Sequence, residues 1–312
     1  MTLNSLRPGC RALQNLRRAQ LRSYSHASTP LTSPFAPRHL LSIADLTPAE
    51  LTTLVRSAHS HKAALKSGAV PTSLLNSLTG KVIAMPFSKR STRTRVSTES
   101  AVTTMGGHPM FLGSGDIQLG VNESLYDTSV VISSMTAGIV ARVGPHSDVA
   151  GLAKWSSVPV INALSDEYHP LQTIADYLTI HEAFPSQTSR SLSQITPSLE
   201  YMRKIILSAA TTTDTPGTLS EVSVPEEAIK DADVLVTDTW ISMGQEEESA
   251  KRLKAFAGYQ ITEEMAKERH QDEVNDAVFY GPRSLVFPEA ENRVYSAISA
   301  LEAFVVKKGK IV

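Results

Sequence analysis

Cysteine is almost missing from this 312-residue chain: Cys10 stands alone. It falls in a segment, residues 1–38, whose composition differs from the rest. A disulfide framework, a cysteine-based zinc site and a cysteine nucleophile are therefore excluded for the remainder. Long apolar runs are missing too. No stretch of about 18 apolar residues occurs, so a membrane-spanning helix is not expected. Neither G-x-x-x-x-G-K-[ST] nor G-x-G-x-x-G is present, which removes two common glycine-rich phosphate cradles. The nine histidines are scattered. His59 and His61, two apart, do not share a helix face, and no metal site is expected.

Acidic residues are scarce at the start. Asp45 and Glu50 are the only ones before Glu99. Residues 1–38 carry Arg7, Arg11, Arg17, Arg18, Arg22 and Arg38, several Ser and Leu, and no acid. That composition predicts a mitochondrial transit peptide, and "RSYSHAS" (22–28) suits processing near Tyr24 or Ser25; the plain alternative is a basic tail. The formal net charge of the whole chain is only −1, so its basic stretches are local. Nucleic-acid and membrane partners are not expected. At 41% hydrophobic and 20% charged, the chain reads as globular and long enough for two domains.

Apolar runs alternate with amphipathic segments. Residues 48–66 predict a helix with Leu51, Leu54, Val55, Ala58 and Leu65 on one side. Strands are expected at 81–87, 108–113, 138–144, 158–164 and 232–240. Helices are expected after residue 91 up to Gly106-Gly107, and at 123–135, 146–156, 169–184, 199–210, 248–259 and 293–307. Such alternation argues for parallel sheets with helices on both faces. Residues 186–198 and 211–220, rich in Ser, Thr and Pro, read as loops.

In open α/β sheets ligands bind beyond the carboxyl ends of the strands. The first strand leads into "PFSKRSTRTRVSTES" (86–100), with Lys89, Arg90, Arg93 and Arg95 among hydroxyls. Helix-terminal N–H groups, hydroxyls and a planar guanidinium suit a phosphoryl group. A solvated basic helix end is the competing reading. Arg142 ends an apolar strand, where an unpaired charge is costly. His169 and Gln172 share the first turn of a helix, either as ligand-binding groups or as a cap on a packed helix. The 232–240 strand delivers Asp238, and Ser242 and Met243 come after it.

Together "SKRSTRTRVSTE", "DIQLGVNES", "ARV", "SDEYHPLQ", "DTWISMGQE" and "VFYGPRSLVFPEAENR" resemble the ornithine carbamoyltransferase family, from about Arg38 to Arg293. The resemblance implies an α/β fold of two domains, each a parallel sheet flanked by helices. The expected boundaries are a leader at 1–38, a carbamoyl phosphate domain at 39–184, an ornithine domain at 185–290, and a C-terminal helix at 291–312 returning to the first domain. The implied phosphate-binding residues are Ser91, Thr92, Arg93 and Thr94. Arg142 and His169 would polarise the carbamoyl carbonyl as catalytic groups, Gln172 would bind its amide, and Arg293 would approach from the last helix. Gln118 would reach into a neighbouring subunit of a homotrimer. Asp238, Ser242 and Met243 would bind L-ornithine. The implied reaction gives L-citrulline and phosphate in the mitochondrial matrix, as a step of arginine biosynthesis and the urea cycle, with no cofactor.

Two departures from the family pattern stand out. The family's His-Cys-Leu-Pro-Arg motif is absent: "EEMAKERHQDEVNDAVFY" retains only Arg269 as its possible last residue. Between about Pro185 and Ser198 the family has a strand, an Asn-bearing turn and a helix. A step of that kind needs about 30 residues, more than are present here. The sequence therefore predicts a complete carbamoyl phosphate half, a truncated ornithine half, and little citrulline. A carbamoyl phosphate-binding subunit without catalysis is the alternative.

Overall fold

The computed structural model of the chain describes residues 37–117, 123–185, 192–194, 227, 232–236, 274 and 276–311. Helix α1 (Pro48–Lys66) begins where its sequence permits: Thr47 caps it in a reciprocal box with Glu50, and Pro48 takes the first position. Strand β1 (Val82–Phe87) leads into α2 (Thr92–Thr104), and β2 (His108–Gly113) follows. The stop between α2 and β2 is Gly106, at φ +78°, where a Cβ would lie 3.1 Å from the Thr79 hydroxyl. Then come α3 (Leu125–Met135), β3 (Gly138–Arg142), α4 (His146–Trp155), β4 (Val160–Leu164) and α5 (Pro170–Ala183).

These strands form one parallel sheet in the order β2-β1-β3-β4. Period-two alternation divides the strand residues between two cores. Ile83, Met85, Phe87, Val140 and Ile161 belong to one, with α1, α2, α5 and the last helix over it. Ala84, Ile139, Ala141 and Val160 belong to the other, beneath α3 and α4. Burying each large aliphatic side chain contributes about 1.5–3 kcal/mol, so this two-sided burial dominates the fold's stability.

Two further strands, β5 (Leu192–Gln194) and β6 (Val234–Val236), pair in parallel, with Leu192 opposite Val234. This corrects the loop expected over 186–198. The stretch Leu192-Ser193-Gln194-Ile195 holds two polar residues between two apolar ones and has no period-two alternation, so nothing local marks the strand against the Ser/Thr-rich composition around it. The chain then gives the short helix α6 (Asp276–Phe279) and α7 (Val286–Leu301), followed by a π turn at Glu302–Val306. Helix α7 starts seven residues before the expected 293, so Arg293 lies inside it rather than at its entry. The helices expected at 199–210 and 248–259 lie outside the described residues. No described helix is long and apolar enough to cross a membrane.

Candidate functional site

Strand register brings the polar groups together. Arg142 of β3 lies opposite Phe87, the last residue of β1. The Ser88 N–H donates to the Arg142 carbonyl at 2.9 Å and ties the basic loop to β3. Between Ala141 and Arg142 the pairing with β4 slips, so that Arg142 meets Leu164 while Ala141 meets Asn162. An irregularity of this kind re-aims a side chain at a strand end.

Ser91 caps α2, its hydroxyl accepting from the Thr94 N–H at 3.2 Å. Thr92 and Arg93 are exposed in the first turn, Thr94 is buried, and that turn contains no acid. The Arg142 Nη1 donates to Thr94 Oγ1 at 3.4 Å, while its buried Nε has no hydrogen-bond partner. Burial lowers the pKa of Arg142, and the nearby Arg93 charge lowers it further. Arg95 is the exception in the basic stretch. Its Nε pairs with Glu99 at 2.8 Å and its guanidinium lies 3.7 Å over the Phe111 ring, so it is committed to packing.

His169 occupies the cap position of α5 but makes no side-chain cap bond, which removes the capping reading. Its Nδ1 is buried without a partner, although the residue keeps part of its surface open. Burial, then the charges of Arg293, Arg142 and Arg93, hold its pKa well below the usual value. The imidazole is therefore neutral at physiological pH. Asn162 fixes the loop before it, its Nδ2 donating to the Tyr168 carbonyl at 3.2 Å and to Ser165 Oγ at 3.1 Å.

From α7, the Arg293 Nη1 donates to Gln172 Oε1 at 2.5 Å. Arg293 is 2% exposed, and its Nε and Nη2 have no partner. Burial pushes its pKa down to about 10, against the opposing pull of Glu289 and Asp176. The Gln172 Nε2 donates to Asp176 Oδ1 at 2.9 Å and to Glu289 Oε1. Unpartnered buried donors beside mutually repelling guanidiniums are a site for an anion with several oxygens.

Ser91, Thr92, Arg93, Thr94, Arg142, His169, Gln172 and Arg293 are thus brought to one end of the sheet and its covering helix. Gln118, Asp238, Ser242 and Met243 lie outside the described residues. Asn162, Asp176 and Glu289 were missed by the sequence reading. The only hint was a polar Asn inside the apolar "VPVINAL" and two acids at helical spacing from Gln172 and Arg293. Among the described residues no group of three His, Cys, Asp or Glu could hold a metal ion.

Residues 38–182 match the carbamoyl-P binding domain of the aspartate/ornithine carbamoyltransferases, and residues 189–304 match their Asp/Orn binding domain. A mitochondrial ornithine carbamoyltransferase of Aspergillus terreus is 55% identical over 354 positions, covering 97% of this chain and 98% of that protein. Those 354 positions exceed the 312 residues here, so that relative has residues without a counterpart in this chain. The crystal structure of a mitochondrial ornithine carbamoyltransferase from Coccidioides immitis superposes with a TM-score of 0.79 at 53% identity, over 88% of this chain and all of that one. The enzyme from Pyrococcus furiosus gives 0.77 at 34% identity, over 88% of this chain and 98% of that one. The chain belongs to the aspartate/ornithine carbamoyltransferase family.

Proposed function

We propose that the site binds carbamoyl phosphate and transfers its carbamoyl group to L-ornithine. The observation that carries this reading is the convergence of Arg93, Arg142, Arg293 and a neutral His169 with buried donors unpaired. The phosphate sits on the first turn of α2, held by Ser91, Thr92, Arg93 and Thr94. Arg142 and His169 donate to the carbonyl oxygen, and Gln172 holds the carbamoyl amide. The ornithine side-chain amine, unprotonated, attacks the carbamoyl carbon. A C–N bond forms, the bond from carbon to the phosphate oxygen breaks, and phosphate leaves with that electron pair. The amine's proton passes to solvent or phosphate. Negative charge grows on the carbonyl oxygen during attack, so donors fixed beforehand lower the barrier. A neutral imidazole has one N–H to donate, and its other nitrogen only accepts.

The family relationship extends the proposal. Asp238, Ser242 and Met243 bind ornithine, and Gln118 completes the site of a neighbouring subunit. The chain divides at about 38, 184 and 290, and residues 1–38 direct it to mitochondria, as the relatives' names support. Self-association into a trimer is supported by the exposed apolar face of α3, where Tyr126, Val130, Val131 and Met135 lie, with Trp155 against Tyr126.

A second reading, carbamoyl phosphate binding without efficient transfer, is favoured by the residues that the Aspergillus relative has and this chain lacks. In both readings carbamoyl phosphate binds, and calorimetry on the full chain tests that. Arg93→Ala removes a charge-assisted bond of about 1.5–3 kcal/mol and should weaken carbamoyl phosphate and phosphate roughly ten- to a hundredfold. Equal affinities in the two proteins would make the stretch a solvated helix end.

A further inference from the structure

Gln172 is held at both ends of its amide. The nitrogen donates to Asp176 Oδ1 at 2.9 Å and to Glu289 Oε1; the oxygen accepts from Arg293 Nη1 at 2.5 Å. A glutamine amide turns over with almost no change of shape, so only its partners decide which atom faces which way. Ionised carboxylates only accept hydrogen bonds, and a guanidinium only donates. This set of partners therefore permits one orientation, with the NH2 toward the acids and the carbonyl oxygen toward Arg293. The oxygen has a second lone pair, which remains available for a donor in the site.

Asp176 lies one turn beyond Gln172 on α5, whereas Glu289 comes from α7, 117 residues away and one turn before Arg293. The lock therefore forms only where α5 and α7 meet. We propose that Asp176 and Glu289 are positioning residues. They fix the Gln172 oxygen toward the carbamoyl NH2 and so make the site prefer carbamoyl phosphate over bare phosphate. This rests on the reading of the site as a carbamoyl phosphate site. With the amide turned over, two NH2 groups would face each other and that bond would be lost.

Electrostatics acting alone would have the opposite sign. Removing a carboxylate that acts on the Arg293 guanidinium makes the site more positive and strengthens every anion. Glu289→Gln is nearly isosteric, but its amide can donate as well as accept, so it weakens the lock; with Asp176→Asn added, Arg293 alone still selects the orientation.

The test is calorimetry of the full chain with carbamoyl phosphate and, separately, inorganic phosphate. In the Asp176→Asn/Glu289→Gln double variant, carbamoyl phosphate affinity should fall about tenfold or more while phosphate affinity holds or rises, with a smaller fall in Glu289→Gln alone. Glu289→Asp, still acceptor-only, should recover part of the preference. Thermal melting reports folding, and Asp176→Asn supplies the same test from α5 if Glu289→Gln does not fold. An unchanged ratio of the two affinities, or an equal fall in both, overturns the inference alone. No carbamoyl phosphate binding by the unchanged chain overturns the site reading, and this inference with it.

Discussion

His39 carries the first consequence for stability. It is largely buried, and its Nδ1 accepts from the Val160 N–H at 3.0 Å, which only an unprotonated nitrogen can do. Burial lowers its pKa to about 4. The folded pKa lies below the unfolded one, so this contribution is complete above about pH 6.5 and is lost as pH falls through about 4. Stability against denaturant should therefore decline over that window, and His39→Leu should flatten the decline whatever it does to absolute stability. An unaltered slope would mean that other groups carry it. At this scale the sequence was readable where chemistry and strand position coincide: Arg142, His169 and Gln172 were found by their places after strands. That Arg95, in the same basic stretch, is committed to packing was not legible, because its partner Phe111 comes from a different strand and no local spacing announces that contact.

Elements were legible where caps and periodicity agreed. Helix α1 was placed to the residue by its apolar periodicity, and the structure adds the Thr47, Pro48 and Glu50 cap that marks its start. The start of α7 was missed because Leu285, at its cap position, makes no side-chain cap bond. What anchors the end of α7 was equally invisible. Glu302, in the π turn, accepts from His61 Nε2 of α1 at 2.8 Å and from Ser57 at 3.1 Å, and pairs with Lys307 at 3.1 Å. Ser57 and His61 are some 240 residues away in α1, Lys307 directly follows the turn, and only the packed helices join α1 to Glu302. The His61 hydrogen bond, opposed by burial, holds the Glu302 pKa down to about 2. That contribution is present above the ordinary carboxylate range and disappears as pH falls toward 2. Glu302→Ala leaves a buried imidazole without its carboxylate and should destabilise the protein by about 3 kcal/mol, read as a lowered melting temperature at neutral pH. Because α7 delivers Arg293, carbamoyl phosphate affinity should fall with it. A melting temperature equal to that of the unchanged chain would show that the packed apolar residues alone hold the end of α7.

For the whole molecule, the sequence and the fold divide the chain unevenly. The carbamoyl phosphate half has its sheet, both cores and the assembled anion site. The ornithine half retains β5 and β6, but the His-Cys-Leu-Pro motif is absent from the sequence. Groups misplaced by about 1 Å can lose a hundredfold in rate, and we propose that the residues which the Aspergillus relative has and this chain lacks include some that place the ornithine amine. Carbamoyl phosphate affinity should be retained far better than ornithine affinity. The most direct measurement is the rate of citrulline formation by the purified chain, beside a version with both segments restored from a complete relative. The account predicts a deficit well beyond tenfold. A rate within about tenfold of the restored protein, a barrier difference of about 1.4 kcal/mol, would contradict it.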